Sequence, residues 1–130
     1  MVLPGGHFRG RYIVKFNELG PYLREDQCQD HRFFFDCLAV CTNIKPAPEK
    51  REFWGWWLVL EAQETHFDYR FDFGLYDKAG QWVPAEIKRD VDRQEAEASL
   101  QKFFPRLEAL MNELNAPLIP ASNFEPSLSF

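Results

Sequence analysis

Long hydrophobic runs, surplus positive charge, paired cysteines and clustered histidines are all missing from this chain of 130 residues. The longest apolar stretch, Phe53 to Leu60, falls well short of the roughly 20 residues that cross a bilayer. The opening "MVLPGGHFRG" has no apolar core of the kind a signal peptide needs. No membrane partner is therefore expected, and the protein is expected to be cytoplasmic. Lys and Arg number 15 against 20 Asp and Glu, a net charge of -5. That balance opposes a role in neutralising phosphates, because nucleic-acid affinity rests on clustered positive charge.

Three cysteines, Cys28, Cys37 and Cys41, form no even framework and read as free thiols of a reducing compartment. Along a strand, Cys37 and Cys41 would stand about 13 Å apart, whereas zinc ligands sit about 2.3 Å from a shared ion. No metal is expected. None of His7, His31 and His66 pairs with Cys, Ser or Asp at a catalytic spacing. "DFG" at Asp72 to Gly74 lacks the glycine-rich loop, strand lysine and catalytic loop that would make it a kinase motif. Glu61, Glu64 and Asp68 have nothing in the sequence to tune one of them as an acid or base. Neither catalysis nor a cofactor is expected.

What is abundant is aromatic surface: 13 Phe, 4 Tyr and 4 Trp. "RGRYIVKFNELGPYLRE" spaces Tyr12 or Ile13, Phe16 and Leu19 as one face of a short helix, which Gly20-Pro21 ends. "HRFFFDCLAVCTN" alternates Phe33, Phe35, Cys37, Ala39 and Cys41 against Phe34, Asp36, Leu38 and Val40, a strand apolar on both sides. "IKPAPEK" cannot continue a ladder and is expected as an exposed loop. "REFWGWWLVLEAQE" follows as a second strand, with Trp54 and Trp56 on one face and Phe53 and Trp57 on the other. "THFDYRFDFGLYD" is a third, wet on its His66, Asp68, Arg70, Asp72 side. "DKAG" signals a hairpin to a fourth, "QWVPAEIKR", which Pro84 marks as an edge.

From Asp92 onward Leu100, Phe103 or Phe104, Leu107, Leu110 or Met111 and Leu114 recur at helical spacing, with Asp90 or Asp92 placed to cap and Pro105 expected to kink or split the helix. After Asn115 three prolines and no period predict a loosely packed or flexible tail from about 116. The reading is an α+β fold in one domain, 1–130: a four-stranded antiparallel meander with a short N-terminal and a long C-terminal helix packed on it. Two helices cover one sheet face well but hardly two, so part of the Trp cluster is expected to stay open as a partner surface, with Arg51 beside it. The rival use of such a surface is stacking of single-stranded RNA bases, against which the acidic balance counts.

"RFFFDCLAVCTNIKPAPEKREFWGWWLVLEAQE", with "LGPYLRE" before it and "FGLYDKAGQW" after it, resembles the Crl family of small bacterial proteins that bind the stationary-phase sigma factor of RNA polymerase. The likeness is dense from Leu19 to Trp82 and thins after Asp90. It implies a non-enzymatic, monomeric transcription activator that binds domain 2 of that sigma factor and favours its assembly with core polymerase, without DNA as a target. It also implies partner-binding roles for Pro21, Tyr22, Asp36, Arg51, Phe53 and Trp56, with Arg24 and Trp82 beside them, and an approach of the loop Asn43 to Lys50 to the clamp of the core enzyme. On that basis Phe53 and Trp56 would be desolvated anchors, Tyr22 a rim contact, Arg51 a fork for a partner carboxylate and Asp36 an acceptor for a partner arginine. Phe53 and Trp56 can share a face only if Gly55 forms a bulge or Phe53 lies in the loop.

Overall fold

The computed structural model describes residues 2–130. In chain order the elements are α1 (Arg9–Glu18), β1 (Arg32–Cys41), β2 (Phe53–Ala62), β3 (Phe67–Tyr76), β4 (Trp82–Pro84), α2 (Asp90–Glu113) and β5 (Leu118–Pro120). The α+β class, the short first helix and the long last one stand as expected. β1 to β4 form an antiparallel meander, but the sheet is mixed: β5 pairs parallel with β3. β4 takes the C-terminal end of one β3 edge, at Gly74 to Tyr76, while β5 takes the N-terminal end, at Phe67 to Tyr69. The prolines at 117 and 120 fit there because an edge strand of three residues needs few donors.

The register sorts side chains onto two faces. Phe33, Phe35 and Cys37 of β1 stand opposite Leu60, Leu58 and Trp56 of β2, which stand opposite Tyr69, Phe71 and Phe73 of β3. Both helices lie on this inner face: Tyr12 and Phe16 of α1 meet Phe33 with ring centroids 6.1 and 5.1 Å away, and Phe103 of α2 meets Phe35 at 5.6 Å. The outer face presents Phe34, Asp36 and Leu38, then Trp57 and Val59, then Arg70 and Asp72. A register shift between Leu38 and Val40 leaves Ala39 unpaired, so Val40 turns inward and Cys41 outward, the reverse of unbroken alternation.

Three further expectations change. α2 is not split at Pro105, which sits at an exposed position where water can serve the Gln101 carbonyl that the missing N–H leaves free. Neither Asp90 nor Asp92 caps α2. The N-cap is Arg89, without a side-chain bond, and the two aspartates lie inside the first turn, where the helix dipole favours them. The segment after Asn115 is packed rather than loose: Ala116 and Ala121 are buried, and Phe130 stacks on Phe104 at 4.1 Å. A run without helical period or alternation can still supply single rings to a groove, which periodicity does not detect.

Tyr12 ties α1 to the chain before it by donating its hydroxyl to the Pro4 carbonyl, and burial pushes its pKa up to about 12. A phenol whose folded pKa is raised contributes stability that is fully present below its unfolded value of 10 and is lost as pH rises through 12. Urea midpoints measured from pH 7 to 12 should therefore fall above pH 10. In Tyr12→Phe the neutral-pH stability should drop by about 1 kcal/mol, from the lost hydrogen bond, and the alkaline fall should flatten.

Candidate aromatic and carboxylate interface

Two clusters of the expected partner residues form around the outer edge of β1. The chain at 22–24 runs antiparallel to that edge: the Arg24 amide donates to the Phe34 carbonyl and the Asp36 amide to the Tyr22 carbonyl, both at 2.9 Å. Helix α1 stops just before it, at Gly20, whose φ of 137 and closeness to the Tyr22 ring exclude a side chain. Pro21 is exposed and Tyr22 half-buried as a result.

The first cluster faces inward. Trp56 is fully buried, stacked on Phe103 at 5.3 Å and on Tyr22 at 5.8 Å, with its Nε1–H donating to Ser99 Oγ at 3.2 Å. Ser99 Oγ also lies 3.2 Å from Cys37 Sγ, whose thiol burial pushes up and so keeps protonated. Trp56 is thus covered by this chain itself and is not an open anchor for a partner. What it offers outward is support beneath the Tyr22 ring. Ser99 and Phe103 were missed in the sequence reading as members of this cluster. The signal was present: Ala96, Ser99, Leu100 and Phe103 lie at helical spacing along one stripe, with a lone hydroxyl among apolar residues.

The second cluster lies on the outer face. Asp36 is 4% exposed, with Oδ1 accepting from Arg24 Nε and Oδ2 accepting from Trp82 Nε1 at 2.9 Å. Its oxygens do not face a partner arginine as expected, because a carboxylate covered among Phe34, Leu38 and Trp57 has to be satisfied before any partner arrives. Trp82 reaches it from β4, resting on Trp57 at 5.1 Å and Tyr76 at 5.3 Å. A floor without side chains makes room, since Gly55 and Gly74 are paired across β2 and β3. A Cβ on Gly55 would stand 1.9 Å from the Cys37 carbonyl oxygen and 3.1 Å from the Trp82 ring. Between the Arg24 to Gln27 segment and the hairpin at Tyr76 to Trp82 lies an open cavity of about 530 Å³, with Asp36 and Phe34 in its lining.

Phe53 and Arg51 sit at the other end. β2 pairs with β3 in unbroken register from Phe53, and the irregularity opposite Gly55 and Trp54 adds its extra residue, Ala39, to β1, so there is no bulge at Gly55 and Phe53 lies inside the strand rather than in the loop. Gly55 serves close approach instead, and Phe53 and Trp56 occupy opposite faces. Phe53 is half-buried on the outer face, where its ladder partner is Tyr76, whose own ring lies 5.3 Å from Trp82. Arg51 turns to its own loop, donating from Nε to the Pro46 carbonyl and from Nη2 to the Ile44 carbonyl, both at 3.0 Å. Arg24, Asp36, Phe53 and Trp82 therefore share a face, Pro21 and Tyr22 border it, and Trp56 lies behind. Among the described residues no group of His, Cys, Asp and Glu is placed to hold a metal ion, and no helix is long and apolar enough to cross a membrane.

These placements order the costs of substitution. Trp56→Ala should lower folding stability by about 3–5 kcal/mol, as loss of a buried aromatic does. Asp36→Ala and Ser99→Ala should each cost about 1–3 kcal/mol, through an indole N–H left without its acceptor. Phe53→Ala, at a half-buried position, should cost least. Urea denaturation with the slope compared across variants checks the order, and equal midpoints for Trp56→Ala and Phe53→Ala would contradict it.

Comparison with known proteins agrees over nearly the whole chain. A family profile described as sigma factor-binding transcriptional regulator Crl matches residues 1–127. The sigma factor-binding protein Crl of Photobacterium profundum is 46% identical over 107 residues, 80% of this chain and 77% of that protein. That of Vibrio cholerae is 43% identical over 91 residues, 67% and 70% of the two chains. That of Vibrio vulnificus is 42% identical over 80 residues, 62% of each. With its matched span running through both clusters at β1, this chain belongs to the Crl family of sigma factor-binding transcriptional regulators.

Proposed function

We propose that this protein is a cytoplasmic, monomeric transcription activator that binds domain 2 of the stationary-phase sigma factor and promotes its association with core RNA polymerase, without catalysis and without specific contact to DNA. The observation that carries this reading is the family match over residues 1–127, with relatives named for sigma-factor binding. The resemblance supplies the finer terms, domain 2 and the core clamp. The outer face supplies a physical basis, since half-buried Phe53 and Trp82 have ring surface left to cover, and half-buried Tyr22 adds its own from the inner side at the edge of β1, which is the composition of binding hot spots. Pro21 and Arg24 border those rings, while Asp36 and Trp56 hold Trp82 and Tyr22 in place from beneath.

An activator of this kind obeys linkage. If it tightens the hold of the sigma factor on core polymerase, core tightens the hold of the sigma factor on it by the same factor. A coupling of about 1–2 kcal/mol biases competition between sigma factors severalfold or more. The test is calorimetric titration of this protein into the stationary-phase sigma factor, with the housekeeping sigma factor and single-stranded RNA as controls. Binding to the stationary-phase factor alone is expected, with affinity reduced at least about tenfold in Phe53→Ala, the loss typical of an interface anchor. Absence of sigma binding, with RNA bound instead, would replace this reading by one in which the aromatic face stacks bases.

A further inference from the structure

The chain at 22–24 pairs with the edge of β1 in a ladder that lacks one bond. Leu23 stands opposite Phe35, so Arg24 and Phe34 are the next pair, and in a regular antiparallel ladder they would exchange two backbone bonds. One of these is made, from the Arg24 amide to the Phe34 carbonyl at 2.9 Å. The other passes through a side chain: the Phe34 amide donates to Cys28 Sγ at 3.3 Å, and the Cys28 thiol donates to the Arg24 carbonyl at 3.2 Å. The sulfur stands where the backbone bond would run. It is brought there by a single 3-10 turn, Glu25–Gln27, in which the Gln27 amide donates to the Arg24 carbonyl and the Cys28 amide to the Glu25 carbonyl, both at 3.0 Å.

We propose that Cys28 is a positioning residue of the interface, its thiol replacing a ladder bond and thereby holding Arg24 against Asp36. The contacts run on without a gap. Cys28 fixes the Arg24 carbonyl, the Arg24 side chain donates to Asp36 Oδ1, and Asp36 Oδ2 accepts from the Trp82 indole. The same turn supplies one wall of the cavity of about 530 Å³, through Arg24, Asp26 and Gln27. An atom in this place has to accept one hydrogen bond and donate another. A thiol does both, whereas a thiolate only accepts. Burial pushes the Cys28 thiol up, so the proton it needs is retained at neutral pH. A methyl group in its place would leave the Phe34 amide without an acceptor, while a serine hydroxyl can serve both partners.

The effect on binding rests on the sigma-factor reading above, while the hold on Arg24 does not, so the experiment has an arm for each. In the free protein, hydrogen exchange of the Phe34 amide should accelerate by about tenfold or more in Cys28→Ala, with Leu58 and Leu60 of β2 unchanged, and should return toward the original rate in Cys28→Ser. The Trp82 indole N–H resonance should move in the alanine variant and move back in the serine variant. In calorimetric titration, Cys28→Ala should bind the stationary-phase sigma factor severalfold more weakly and Cys28→Ser nearly as tightly as the unaltered protein. Tyr12→Phe, which loses a hydrogen bond away from the interface, should bind unchanged. Phe34 exchange unaltered in Cys28→Ala would overturn the hold on Arg24, as would equal acceleration at Leu58 and Leu60 or a serine variant no better than the alanine one. Unchanged affinity in Cys28→Ala, or an equal loss in Tyr12→Phe, would overturn the role in binding. Failure of the unaltered protein to bind any sigma factor would remove the sigma-factor reading, and the exchange and indole signals would still judge the hold on Arg24.

Discussion

A buried indole nitrogen has to be given an acceptor, and much of this molecule is arranged around the one on Trp56. Its donor meets Ser99 on α2, so the helix cannot rotate or slide along the sheet without stranding a polar group in the core. The same ring is pressed between Phe103 and Tyr22. One side chain thus relates the sheet, the long helix and the segment after α1. Because Tyr22 also closes a backbone bond to Asp36, the inner stack and the outer carboxylate are separated by the thickness of β1 alone. Disturbing either face is felt on the other.

This arrangement divides the residues of the two clusters into rings with surface still exposed and side chains that hold those rings in place. An ionised carboxylate with little exposure cannot wait for a binding partner to satisfy it, and Asp36 is served by Arg24 and Trp82 of its own chain. What it contributes is the fixed attitude of the Trp82 ring. Trp56 does the same for Tyr22. Preorganised rings lose little rotamer freedom on association, so a surface of modest size can bind usefully.

Much of this was legible in the sequence, and what was not has a common cause. Helical spacing located α1 and α2, and alternation located β1, β2 and β3, because each signal is local and repeated many times. The inward Trp56 and outward Phe53 also follow from strict alternation, and neither a bulge at Gly55 nor a place for Phe53 in the loop brings them onto one face. The shift lies instead at Ala39, where no glycine announces it. The partners of Asp36 lie 12 and 46 positions away in sequence, and Ser99 lies 43 from Trp56. Single long-range contacts leave no periodic trace. β5 was hidden by its prolines, which argue against a central strand but are compatible with an edge.

The sharing of one β3 edge by β4 and β5 has a consequence for how the protein is made. β4 follows β3 across a tight hairpin and can pair as soon as it emerges from the ribosome. The opposite end of that edge, at Phe67 to Tyr69, stays without its neighbour until α2 and then residues 118–120 have been synthesised. During that interval a strand carrying Phe67, Tyr69 and Phe71 shows unpaired amides and uncovered rings together, the combination that recruits other nascent chains. The last strand, three residues long, is therefore a seal on a sticky intermediate, and its arrival sets how long each new molecule remains vulnerable to aggregation.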